Sequence, residues 1–120
     1  MNAVRKAIEG LYDGVCTVYV REASPGHDPV SGETVFVENA VISDAPCRLS
    51  YSRITETSPG VAARVTQTVK LFIAPEAEVP PGSKITVTQN GVTGHYAQSG
   101  EAAVYASHRE IPLALFERYA

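Results

Sequence analysis

The chain has 120 residues, 12.8 kDa and a formal net charge of −3, enough for one domain and too little for two ordinary ones. Its 44% hydrophobic and 19% charged content is that of a globular protein and argues against disorder. Ten Lys and Arg in an acidic chain argue against a phosphate-wrapping nucleic-acid binder, because that affinity comes from clustered cations releasing counterions.

Valine, isoleucine and threonine make up 30 of the 120 residues, which favours β structure. Ala3, Val4, Ala7, Ile8 and Leu11 fall on one stripe of a short helix within residues 1–13. Asn2 is placed to cap it, and Gly10 and Gly14 bracket its exit. The period then changes to two, with Cys16, Val18 and Val20 on one face of a strand. A Pro/Gly loop at 24–32 follows, and strand pattern returns at 34–38 and again at 41–51, where Cys47, Leu49 and Tyr51 share a face. Residues 52–64 are polar and small, with Ser58-Pro59-Gly60 at their centre. They read as a long excursion between strands, a kind of loop that is uncommon in compact domains and usually functional or disordered.

The next strand, 65–73, alternates most cleanly, with Leu71 and Ile73 inward. Pro80-Pro81-Gly82 reads as a type II turn. Ile85 and Val87 alternate with polar residues, and Asn90-Gly91 is the strongest short hairpin signal in the chain, returning it through 92–98. Residues 102–107 and 110–116 complete the strands, with Ile111, Leu113 and Leu115 inward and Pro112 marking an edge or a solvent-facing donor position. The prediction is one mainly β domain over 1–120. It is a small antiparallel barrel or sandwich of seven to eight strands, with a short N-terminal helix and one long inter-strand loop at 52–64. Helix-length patterns do not occur between strands, so a parallel sheet is not expected.

No apolar run is long enough to span a bilayer, and the first eleven residues lack the continuous apolar core of a signal peptide. With no export signal, Cys16 and Cys47 are expected to be buried and reduced in a cytoplasm, although they could in principle pair. His27, His95 and His108 lack the spacing of a zinc site. No nucleophile elbow or phosphate loop is present. Cys47 lacks the electropositive setting of a nucleophile, and Glu76 and Glu78 read as solubilising a turn. A hydrolase built from His95, His108 and Glu110 is the one enzymatic reading, and the bland reading of exposed strand histidines is preferred to it. The residues taken alone describe a non-enzymatic β domain without metal or cofactor.

Three stretches carry a resemblance. They are VRKAIEGLYDGVCTVY at 4–19, PCRLS at 46–50 with KLFIAP at 70–75, and PGSKITVTQNG at 81–91 with the ending SGEAAVY at 99–105 through LFE at 115–117. Together they resemble small proteins of Gram-positive prophage structural clusters, and more broadly the head-completion proteins, stoppers or adaptors, of long-tailed phages. The resemblance covers nearly the whole chain, through packing and turn motifs rather than catalytic ones. It implies a small β-barrel made in the bacterial cytoplasm and assembled as a ring in the virion neck. Its partners would be further copies of itself, portal or adaptor proteins and tail-completion proteins, with packaged DNA passing through without sequence-specific binding and no membrane involved. It also implies a loop projecting into the central channel, matched here in place and kind by Arg53, Ile54, Thr55, Glu56, Ser58, Pro59, Gly60 and Arg64, and a subunit-packing helix carrying Val4, Ala7, Ile8 and Leu11. The charges of this loop are nearly balanced, a departure that suits a steric gate better than an electrostatic clamp. Other readings are a tail-terminator or tail-completion protein, and a non-viral OB-like or SH3-like binding module, which would need a basic groove with stacking aromatics.

Overall fold

The computed structural model describes the backbone of residues 3–27 and 34–119, with side chains except at 24–27, 34, 35, 54, 56–58 and 61–66. The elements are α1 (Ala3–Glu9), β1 (Gly14–His27), β2 (Thr34–Ser58), β3 (Val61–Ile73), β4 (Lys84–Gln89), β5 (Val92–Gln98), β6 (Ala103–Val104) and β7 (Arg109–Leu115). The strands follow the order β3-β2-β1-β4-β5-β7-β6, and a β3–β7 pairing closes the first six into a barrel. All pairings are antiparallel. Closure removes the edges along the barrel wall itself.

Alternation decides what lies inside. Cys16 and Val18, Cys47 and Leu49, Leu71 and Ile73, Ile85 and Val87, and Ile111 and Leu113 are buried together as one core. Five strands thus contribute two inward residues each, and the half-buried Tyr96 of β5 packs against them. The same inward face was expected to continue to Tyr51 and Leu115, yet these are 55% and 75% exposed. The alternation runs on past the point where the wall stops, so their side chains have nothing to pack against.

β2 departs from expectation in length. The runs at 34–38 and 41–51 are one strand, and it continues through 52–58. It gains two residues on β1, because Cys16 faces Ala45, Val18 faces Ile42 and Tyr19 faces Ala40. One extra residue falls at Asp44, whose φ is 50° and whose amide donates to Thr17 Oγ1 (3.3 Å). Such bulges bend a strand and increase its twist, which turns β2 around the barrel.

The excursion at 52–64 is corrected to a β-ribbon. The β2–β3 register holds without a shift from Cys47↔Ile73 to Glu56↔Arg64, slips once, and ends at Ser58↔Val61. Pro59 and Gly60 form the turn, and Gly60 has φ 78°, the Pro-Gly order of a type II turn. The described side chains here, Ser52, Arg53 and Thr55, are exposed, and no apolar alternation marks the segment in the sequence. β1 likewise extends through the first half of the predicted 24–32 loop, to His27; residues 28–33 lie outside the described residues.

The Asn90-Gly91 hairpin forms as read. Both residues have positive φ (53° and 77°), Gln89 faces Val92, and this is the type I′ geometry whose twist matches the flanking strands. β6 is shorter than the predicted 102–107, β7 keeps the predicted length but starts one residue earlier, and β7 is not an edge. Pro112 faces Lys70 of β3 and sits where the other side of β7 changes partner from β6 to β5, while Ser99 donates its amide to the Pro112 carbonyl (2.8 Å).

Candidate functional site

Three features stand away from the core. The first is α1. None of its residues is buried; Val4 and Leu11 are 63% and 61% exposed, Ala7 is exposed and Ile8 half-buried. Polar contacts hold the helix instead. Arg5 bridges Glu9 (2.9 Å) and Glu76 (2.5 Å and 2.9 Å), and Arg48 donates to the Leu11 carbonyl (3.1 Å). The hydrogen bond to Arg5 is the main cause that holds the Glu76 carboxyl below the usual carboxylate range. The predicted apolar stripe therefore exists but faces largely outward. Asn2, its expected cap, lies outside the described residues.

The second is the β2–β3 ribbon. Its root is fixed by Gln89, whose side-chain Oε1 accepts from the Leu49 amide (2.8 Å) and whose Nε2 donates to the Leu49 carbonyl (3.4 Å). β1 begins at Gly14 opposite Cys47, so Leu49 lies beyond its end. The Gln89 amide stands in for the missing peptide unit, meeting an obligatory donor and acceptor. Of the residues expected to line a channel, Arg53, Thr55, Pro59 and Gly60 are exposed along the ribbon and at its turn. The side chains of Ile54, Glu56, Ser58 and Arg64 lie outside the described residues. Beside the root, β3 and β7 part company beyond Val69↔Leu113. They leave a groove of about 340 Å³ that includes Tyr51, Val69, Tyr96 and Leu115.

The third is the far half of the β1–β2 pair, residues 20–27 and 34–40, which projects beyond the β1–β4 pairing that ends at Tyr19↔Lys84. The C-terminal residues strap it down. Lys84 Nζ lies 2.6 Å from Glu38 Oε2 and over the Tyr19 and Phe116 rings (5.2 Å and 5.7 Å). Tyr119 donates its hydroxyl to the same Glu38 oxygen, and the Arg21 guanidinium lies over Phe36 (4.5 Å). Lys84 first, then Tyr119, hold the Glu38 carboxyl below its usual range. Burial first, and then Glu38, push Tyr119 up to about 12. The sequence carries no signal for this cluster, because its members are far apart in the chain and obey no common period.

The residues of the hydrolase reading are not brought together as one site. His108 sits between Ser107 Oγ (2.8 Å to Nδ1) and Glu110 Oε2 (2.9 Å to Nε2), stacked against Tyr105 and tilted on Phe72. His95 is bonded across the β4–β5 ladder to Thr86 (3.0 Å). The imidazole of His108 is packed against two rings, an arrangement that pins the β6 turn onto β7 and β3. Cys16 and Cys47 are free and buried, as expected. They share a thiol hydrogen bond, which together with burial pushes Cys47 well above an ordinary thiol. Among the described residues, no group of three or more His, Cys, Asp or Glu is placed to hold a metal ion. Among them, too, no helix is long and apolar enough to cross a membrane.

No protein-family model and no curated protein sequence matches the chain. A solved structure does share its fold: the phage-like element PBSX protein xkdH from Bacillus subtilis. It superposes with a TM-score of 0.50, covering 84% of this chain and 91% of that one, at 12% sequence identity.

Proposed function

We propose that this chain is a non-catalytic structural protein of a phage or prophage virion, a subunit of the ring that joins the portal to the tail and retains packaged DNA. The observation that carries the reading is the β2–β3 ribbon. Among the described residues it is a two-stranded arm with no third strand beyond Val69↔Leu113, and isolated hairpins are marginal in water. Such an arm makes sense where neighbouring copies order it. The outward apolar stripe of α1 adds a second surface for a neighbour, and the likeness to a protein of a phage-like element supports the viral setting.

In the ring, ribbon tips converge toward the axis and close the channel by bulk, since Arg53 and Arg64 are partly offset by Glu56. DNA can then pass without being gripped. The test is a ribbon shortened by residues 55–58 and 61–64, with Pro59-Gly60 kept as the turn. The barrel should stay folded, because no core residue is removed, while particles leak DNA or fail to join tails. Fully infectious, DNA-retaining particles would overturn the reading. Folded variant subunits with DNA-tight heads and misassembled tail ends would favour a tail-completion role instead.

A further inference from the structure

Closing the barrel leaves several stretches of strand edge open on each subunit, two of which stand out. Residues 34–46 of β2, of which 34–41 form the outer part, pair with β1 on one side and have no backbone partner on the other among the described residues. Residues 61–68 of β3 pair with β2 and, among the described residues, have no backbone partner on their other side. The outer part of the first, 34–41, reads TVFVENAV, and the second reads VAARVTQT. Both are rich in β-branched residues, and neither contains proline or glycine. Proteins ordinarily blunt such edges with proline, charge or bulges. The open edge of β1 at 20–27 is blunted in this way by Pro25.

Charge separates the two edges. Glu38, already paired with Lys84 within the subunit, is the one charged residue of 34–41, and Arg64 the one of 61–68. The wider arms follow the same sign: residues 20–40 hold four carboxylates against one cation, and residues 48–70 four cations against one carboxylate. Two like edges would set like charge against like, whereas unlike edges are complementary. The two edges lie at opposite ends of the barrel portion of β2, so each subunit can offer one edge to the copy before it and the other to the copy after it. A contact between different patches on successive copies generates a ring or a filament.

We propose that the partner of each of these two edges is a second copy of this chain, with the 34–41 edge of one subunit adding as a strand to the 61–68 edge of the next. The sheet then continues from subunit to subunit through main-chain hydrogen bonds, and the Pro59-Gly60 turn stays free to reach the axis. This rests on the ring assembly proposed above and names its seam.

The test uses Val37→Cys and Gln67→Cys, both at exposed positions, singly and combined, treated with a short bismaleimide in concentrated protein and in purified particles. Cys16 and Cys47 are fully buried and leave wild type unlabelled as the control. The combined variant should give a covalent ladder reaching beyond the tetramer, and each single variant should give monomer only. Dimers from Val37→Cys alone would mean that like edges pair and would overturn the proposal, as would the absence of a ladder in protein and particles alike. A subunit present in particle necks without the ladder would refute the seam and leave the functional reading standing. A ladder from a protein that never enters particles would do the reverse.

Discussion

At the scale of single residues, the positions that matter most are those that complete another residue's hydrogen bonding. Gln89 satisfies both backbone groups of Leu49 where β1 has ended. Gln89→Leu strips both partners from a buried strand position, and the resulting loss should be about 1–3 kcal/mol, read by chemical denaturation. Two carboxyls report the outer contacts. Glu38, held by Lys84 and Tyr119, and Glu76, held by Arg5, both lie below the ordinary range when folded. Their stabilisation is therefore complete above the unfolded carboxylate value and is lost as pH falls through the lower, native one. Carboxyl-carbon NMR titration should give both midpoints below the ordinary glutamate range, and Arg5→Gln should raise Glu76 while leaving Glu38 unmoved.

At the scale of elements, α1 is a helix held by ion pairs with its apolar stripe outward. A seven-residue helix is not stable by itself in water, so its contacts with Glu76 and Arg48 decide whether it stays. Val4→Asp changes an exposed side chain, and the thermal midpoint of the barrel should not move. Incorporation into particles should fall sharply if the stripe is a subunit contact, and wild-type incorporation would show that the stripe serves no neighbour. The ribbon follows the opposite logic. Its strands were hidden in the sequence because a polar, two-sided ribbon has no buried face to impose a period of two, while a ladder already in register from Cys47↔Ile73 propagates through it.

At the scale of the whole molecule, a small core carries a wide structure. Among the described residues, ten buried side chains from five strands form the interior, while the radius of gyration is 17.8 Å against about 14 Å for a compact chain of this length. The arms account for the excess, and principal extents of 59 × 49 × 27 Å describe a flattened body. With so few core residues, each weighs heavily. Leu71→Ala, at a fully buried site, should cost about 2–5 kcal/mol, measurable as a fall in the denaturation midpoint. The same change at the exposed Leu115 should be nearly neutral.

The sequence by itself determined the elements whose cause is local or periodic. The Asn90-Gly91 turn follows from two residues that tolerate positive φ. The inward pairs such as Cys16 and Val18, or Leu71 and Ile73, follow from alternation against a single core, and the mainly β barrel class follows from these together. The helix stripe was legible too, although not the direction it faces. Only the tertiary structure decided where each strand stops being wall and becomes arm. Tyr51 and Leu115 continue an inward pattern, yet closure of β3 on β7 ends the interior before it reaches them. The strap of Lys84, Glu38 and Tyr119 likewise depends on residues brought together by the barrel's closure. Alternation tells which face of a strand would be buried, but only the neighbouring strands determine whether anything is there to bury it.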